Sequence, residues 1–352
     1  MRFARVANAL GDRYRHAIIS LRGRFEAATL LDPGVNWRQI EVPAEHPFAR
    51  LQRARRVLRQ EAPGLMVTHN WGSTEWALAN RWHPFCRHLH IEDGFGPEEV
   101  DRQLPRRIWF RRLALGGRHT QVVVPSHRLV QIATQEWRLP KAKVQLVPNG
   151  VDVARFANAD RARAAAELGK RPGEQMVGTV ARLRPEKNVG RLVEAFAELA
   201  ARRPDCRLLI VGDGPQRADI EALARNRGAA DRCLFVGASS EPERYLAAMD
   251  VFAVSSDTEQ MPLGVLEAMA AALPVASVDV GDIAQMVVAR NRPFVVPAGD
   301  TSALARAIET LLAAQDLARA IGGENLQRAR SVYALETMIS IYDGIFSQPP
   351  LR

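Results

Sequence analysis

Residues 174–212 read EQMVGTVARLRPEKNVGRLVEAFAELAARRPDCRLLIVG. The run EQMVGTVA (174–181) is short, apolar and rich in β-branched residues, and CRLLIVG (206–212) repeats that character. Between them VGRLVEAFAELAARR carries an apolar residue every third or fourth position, the period of a helix with one buried face. A strand, a cationic loop, a helix and a second strand make a βαβ unit, whose two strands lie parallel in one sheet. The same alternation runs in both directions from here. Upstream the candidate strands are 16–21, 64–70, 85–91, 120–126 and 144–149; downstream they are 234–237, 251–256, 274–279 and 293–298. The reading is α/β, with two doubly wound Rossmann-like domains facing a cleft.

Composition divides the chain independently. Its 352 residues favour two domains, and 47% apolar with 25% charged residues excludes disordered, collagen-like and coiled-coil classes. Residues 1–152 hold 24 Lys and Arg against 14 Asp and Glu, net +10, whereas 153–352 hold 24 against 25, net −1. All six tryptophans precede residue 138. The expected domains are therefore 1–150 and 151–330, with 331–352 a helix able to cross back to the first. Pro148-Asn149-Gly150 forms the turn between them. Cys86, Cys206 and Cys233 have no ligand or disulfide spacing, so no metal site is expected. No apolar run approaches the length of a membrane span and the first residues lack a signal-peptide core, so the expected compartment is the cytoplasm.

Ligands of parallel sheets bind beyond the carboxyl ends of the strands, so chemistry is sought in the loops that follow them. Arg182, Arg184 and Lys187 precede a helix starting near Asn188, and cations beside a helix start suit a diphosphate. A solvated loop with Glu186 paired locally is the plainer reading of the same charges. In SSDTEQMPLGVLEAM (255–269), Glu259 falls in a loop and Glu267 about one turn into a helix, with Met261, Pro262, Leu263 and Gly264 between them. Carboxylates accept hydrogen bonds from sugar and ribose hydroxyls, while a helix start receives phosphate. In HLHIEDGFG (88–96), His88, His90, Glu92 and Asp93 fall at the carboxyl end of a strand, and His69 ends the strand before it.

These segments, in this order, resemble the GT-B glycosyltransferases, specifically the large retaining family 4. That family's nucleotide-sugar domain carries an R-x4-K segment (here Arg182 to Lys187) and an E-x7-E motif (here Glu259 to Glu267). VPNGVD (147–152), VGDGP (211–215) and VGD (280–282) also stand in family order. The resemblance implies transfer of a hexose from a UDP-sugar or GDP-sugar, with retained anomeric configuration and no cofactor or metal. It gives Arg182 and Lys187 to the diphosphate, Glu267 to the ribose, and the sugar to Glu259 and His90, the catalytic candidates. Glu92, Asp93 and His69 become acceptor-side candidates. The acceptor class implied is a glycan or a lipid-linked glycan of exopolysaccharide or lipopolysaccharide type.

Two departures stand out. The usual EGFP is Glu259-Gln260-Met261-Pro262, which alters the loop beside the transferred sugar, and the usual C-G-L-P is Ala271-Ala272-Leu273-Pro274, read as a harmless packing change. The basic stretches 51–60 and 105–118, the latter with Arg106, Arg107, Arg111 and Arg112 around Trp109, could lie on an anionic membrane surface. A nucleic-acid partner is not expected, since no reading motif accompanies the charge. Family members usually open with a strand and a glycine loop, yet MRFARVANALGDRYRHAIISL reads as the first helix followed by the second strand. The expectation is a missing central first strand, with a natural start upstream or an unstable or inactive product.

Overall fold

The computed structural model describes residues 2–349 apart from 22, 24, 43–46, 96 and 100–102. Two compact units result: Met1–Asn149 with Glu336–Arg352, and Gly150–Leu335.

In the second unit six strands form one parallel sheet: β7 (Gln175–Val180), β8 (Cys206–Val211), β9 (Cys233–Gly237), β10 (Val251–Val254), β11 (Val275–Val278) and β12 (Val295–Val296), in the order β12-β11-β10-β7-β8-β9. The chain leaves β7 through β8 to β9 in one direction, then begins again at β10 on the other side of β7. That reversal makes a topological switch point between β7 and β10. Every residue of β10 and β11 is buried, as expected of strands covered on both faces. Helix Val189–Ala200 buries Val189, Leu192, Val193, Phe196 and Leu199 along one stripe. At ~1.5 to 3 kcal/mol per large buried side chain, that stripe is what holds the helix to the sheet. Asn188 caps it, accepting the Arg191 backbone N–H through its side chain.

The first unit contains two sheets. Strands β3 (Leu65–His69), β4 (Arg87–Ile91), β5 (Thr120–Val124) and β6 (Val144–Leu146) are parallel in that order, while β1 (His16–Ile19) and β2 (Trp37–Ile40) form a separate parallel pair. Among the described residues the strands on either side of the expected central strand are therefore in different sheets. β2 was not anticipated from sequence: WRQI is three parts exposed and lacks an apolar run. Helix Leu335–Phe346 is tied to the chain's first residues, since Arg2 donates to the Tyr342 hydroxyl (3.1 Å) and both Arg13 and Tyr14 reach Asp343.

The C-G-L-P departure has a backbone consequence. Ala272 has φ +56°, in the left-handed region where only glycine is at ease. The methyl group is thus a source of strain, not a neutral packing change.

Candidate functional site

The loops after β7 and β10 meet at the switch point of the second unit. After β7, Leu183 N–H bonds Asp213 carbonyl (3.0 Å), holding the cationic loop against the glycine turn that follows β8. Gly212 lies at φ +144°, and a side chain there would strike the Ala181 backbone. Asp257 N–H bonds the Glu186 carbonyl (2.9 Å), the Ser255 hydroxyl donates to the Asn188 carbonyl (2.9 Å), and Arg191 pairs with Asp257 (2.6 Å). Sequence reading missed this Arg191, Ser255 and Asp257 lacing, because its members lie in two separate stretches and nothing in their spacing pairs them.

Within that frame Lys187 and Glu259 come together. The ammonium lies 2.5 Å from Glu259 Oε1, which also accepts from the Ser256 hydroxyl (2.8 Å). The side chains are 26% and 10% exposed respectively, so the pair is largely desolvated. Arg182 is exposed on the same loop. Helix Leu263–Ala270 follows Pro262 with no side-chain cap and no acidic residue in its first turn, so its own first turn sets no negative charge against the positive dipole end. Gly264, in that first turn, is so near β7 that an added Cβ would lie 3.0 Å from the Val180 carbonyl oxygen. Met261 is buried in the core, and Glu267 adds to the acidic field that raises Arg155, behind the bonds from Glu243. Gly281, at φ +60°, lies where a Cβ would meet the Glu259 and Gln260 carbonyl oxygens at 2.6 and 2.7 Å, so the β11 turn supports the same loop. Two cations, a helix start with no acidic residue in its first turn and the Glu259 carboxylate at one switch point can take an anion flanked by hydroxyl groups.

The first unit arranges its candidates differently. His88, His90 and Glu92 alternate along β4 and its end and therefore share one face, and that face is covered. His90 and Glu92 are both 0% exposed. The Thr68 hydroxyl lies 2.8 Å from both His88 Nε2 and His90 Nδ1, and His88 Nδ1 lies 3.0 Å from the Thr120 hydroxyl. A hydroxyl donates once, so the row runs in one sense throughout: either Thr120 to His88, His88 to Thr68, Thr68 to His90 and His90 Nε2–H toward Glu92 at 3.5 Å, or, with the Glu92 carboxyl protonated, the reverse at every step. Burial, then the Arg111 charge, pushes His90 down to about 3, so it is neutral. Burial pushes Glu92 up to about 8, only partly offset by Arg111.

Arg111 is itself fully buried. It pairs with Glu99 through two nitrogens (3.1 and 3.0 Å), stands 3.5 Å from Glu92, and lies about 5 Å from the ring centres of Trp71, Phe95 and Trp137. Arg107 joins it on Glu99. The expected arginine face is thus corrected: Arg106 and Arg112 are exposed with Trp109, whereas Arg107 and Arg111 turn inward to carboxylates. The sequence holds one hint of this, the four-residue separation of Arg107 and Arg111, which puts both on one face of helix Pro105–Leu115.

His90 and Glu92 therefore do not reach an accessible surface, contrary to the roles expected of them. Asp93 does. It pairs with Arg2 (2.9 Å) while its backbone N–H bonds the Asn70 side chain (2.8 Å). His69, at the end of β3, meets Phe3 edge-on at 6.3 Å and is pushed down to about 4 by burial. Among the described residues no cluster of histidine, cysteine or carboxylate groups could hold a metal ion, and no helix is long and apolar enough to cross a membrane.

Two family models match, together spanning nearly all of the chain: Glycosyltransferase Family 4 over residues 2–155 and Glycosyl transferases group 1 over 160–328. The D-inositol 3-phosphate glycosyltransferase of Actinosynnema mirum is 30% identical over 348 residues, covering 85% of this chain and 79% of that protein. The chain belongs to the GT-B glycosyltransferases of family 4. A protein of the same name from Nocardia farcinica is 33% identical over 301 residues, 76% of this chain. The match spans only 64% of that relative's length, and 58% of an N-acetyl-α-D-glucosaminyl L-malate synthase from Bacillus anthracis. Anabaena HepE, solved in complex with UDP, shares the GT-B fold at a TM-score of 0.84 and 17% identity, over 98% of this chain and 95% of that one.

Proposed function

We propose that this protein transfers a hexose from a nucleoside diphosphate sugar to a glycan or lipid-linked acceptor, with retention of configuration. One observation carries the reading: Arg182, Lys187 and the uncapped start of helix Leu263–Ala270 stand together at the switch point between β7 and β10. The UDP bound by Anabaena HepE supports a nucleoside diphosphate as the anion. Arg182 and Lys187 neutralise the leaving diphosphate, the helix amides hydrogen-bond it, Glu267 holds the ribose, and Glu259 meets hydroxyls of the sugar. In a front-face reaction the departing phosphate takes the acceptor proton, so no protein base is required. Asp93 and His69 face the acceptor side, while His90 and Glu92 act from beneath by fixing the end of β4.

Donor binding must break the Lys187–Glu259 pair. The ammonium then turns to phosphate as the carboxylate turns to sugar hydroxyls, and each exchanges one partner for another without being left bare. The proposed setting is the cytoplasm, with the exposed Trp109, Arg106 and Arg112 meeting an anionic membrane surface where the acceptor is lipid-linked. Thermal-shift screening against UDP, GDP and ADP, followed by turnover of the matching sugars, tests the assignment. Stabilisation by a nucleoside diphosphate without turnover of any of its sugars would favour a binding protein of the same fold. Absence of binding to all three would remove the assignment.

A further inference from the structure

The start of helix Leu263–Ala270 has no side-chain cap, but that of helix Val189–Ala200 is filled. Its sequence, with Arg182, Arg184 and Lys187 ahead of it, suits a diphosphate; in the structure the Asn188 side-chain oxygen already accepts the Arg191 backbone N–H there (3.2 Å). The helix has no acidic residue in its first turn and carries a cation as its third residue, Arg191, against the positive end of its dipole. The carboxylate that offsets this comes from the loop after β10. Asp257 Oδ1 lies 2.6 Å from Arg191 Nη2, and the Asn188 side-chain N–H group donates to both Asp257 oxygens (3.2 and 3.1 Å).

Asn188 follows Lys187 and lies in the left-handed region, at φ +39° and ψ +50°. Asparagine tolerates that conformation where its short side chain is hydrogen-bonded locally. Here the side-chain oxygen is held by Arg191, the side-chain nitrogen by Asp257 and the carbonyl by the Ser255 hydroxyl (2.9 Å). On the other side of Lys187 the Glu186 carbonyl accepts the Asp257 backbone N–H (2.9 Å). Both neighbours of Lys187 are therefore bonded to Asp257. Arg191 Nη1 donates to the Ser255 carbonyl (2.8 Å), which ties the loop of Asp257 to the helix at a second point.

We propose that Asp257 is a positioning residue for Lys187, fixing the backbone on both sides of it so that the ammonium is in place when the donor arrives; the inference rests on the diphosphate reading of this site. Asp257 shares the sign of the anion and is taken up by Arg191 and Asn188, so its influence on binding has two opposed parts. As a negative charge two residues from Glu259 it repels a diphosphate. As the anchor of Lys187 it reduces what must be ordered on binding, which favours the diphosphate. Its side chain is 44% exposed and already paired, so water and Arg191 screen the repulsion, whereas the anchor acts through direct bonds to both neighbours of Lys187. Removing this negative charge should therefore weaken the binding of an anion. A half-exposed pair adds little to the stability of the unit, so the variant keeps its fold.

The test measures binding of UDP, GDP and ADP by calorimetry to the parent, Asp257→Ala and Asp257→Asn, each with Lys187 present and with Lys187→Ala. For whichever diphosphate the parent binds, Asp257→Ala should lower affinity roughly five- to tenfold with Lys187 present and less than about twofold without it, since residues acting through one another are not additive. Asp257→Asn keeps the shape and one acceptor oxygen, and should fall between the parent and the alanine variant. Unchanged or tighter binding by Asp257→Ala, or equal losses in the two backgrounds, overturns the proposal. Backbone amide exchange without ligand separates the anchor from the donor assignment. Asp257→Ala should speed exchange at Lys187 and Asn188 about tenfold while residues 208–211 of β8 stay unchanged. Unchanged exchange at Lys187 and Asn188, or acceleration that extends to β8, overturns the anchor. If the parent binds none of the three diphosphates, the donor assignment falls, and the exchange result alone then supports or overturns the anchor.

Discussion

Glu92→Gln should remove most of the alkaline loss of stability of the first unit. The Glu92 carboxyl is fully buried, and burial raises it from an ordinary value near 4.5 to about 8 in the folded chain. Between those values the folded protein keeps a proton that the unfolded chain has released, so stability falls as pH rises through this window and levels off above 8. One proton is worth ~1.36 kcal/mol per pH unit. Integrated from pH 5 to pH 8 with these two end points, the loss is about 3 to 4 kcal/mol. Glutamine has the shape and the neutrality of the protonated acid, so the variant should lack that slope and gain on the parent as pH rises. The six tryptophans all lie in the first unit, and Trp71 and Trp137 flank Arg111 directly, so urea unfolding followed by tryptophan fluorescence reports this unit separately from the other. With ~1 to 3 kcal/mol per molar urea, the difference between parent and variant should widen by about 1 to 3 M between pH 5 and 8. Parallel pH profiles for the two proteins would refute the argument, and with it the reading of Glu92 as a buried neutral acid.

Lys187→Ala should weaken nucleoside diphosphate binding about tenfold or more by calorimetry, since it removes a charge-assisted contact of ~1.5 to 3 kcal/mol. Glu259→Gln should bind the free diphosphate at least as well as the parent, because Lys187 loses its internal competitor, yet turn over its sugar more slowly; weaker binding would show that the pair does not compete with the ligand. Ala272→Gly should raise the unfolding temperature of the second unit by relieving about 1 kcal/mol of left-handed strain, and a lower value would count against it. Arg111→Met should destabilise the first unit by about 3 to 5 kcal/mol, since buried Glu99 would lose its two-nitrogen partner and keep only Arg107.

The sheet of the second unit was legible because β7, β8, β10 and β11 are continuous apolar runs, and such runs survive any detail of packing. β2 was not, since Trp-Arg-Gln-Ile has no burial pattern to detect. At the site, the charge spacing of Arg182 and Lys187 pointed to the right loop, but their sequence says nothing of Glu259 lying 2.5 Å from Lys187 across 72 positions. For His90 the alternation with His88 and Glu92 did fix a common face. Which face was covered depended on the helix Pro105–Leu115 and its Arg111, and that is a tertiary fact. The same fact divided the arginines, because Arg106 and Arg107 are neighbours in sequence and face opposite environments.

The pairing of the first residues with helix Leu335–Phe346 bears on the order in which a ribosome can finish this molecule. The second unit is continuous, Gly150–Leu335, and is complete as soon as its last residue emerges. The first unit begins earlier but needs Tyr342 and Asp343 for Arg2, Arg13 and Tyr14, and Ile345 for Arg87. At ~5 to 20 residues per second, its opening 149 residues wait on the order of 10 to 40 seconds for their closing helix. The half made first is therefore the half finished last, and during nascent synthesis it is the one exposed to chaperones and proteases.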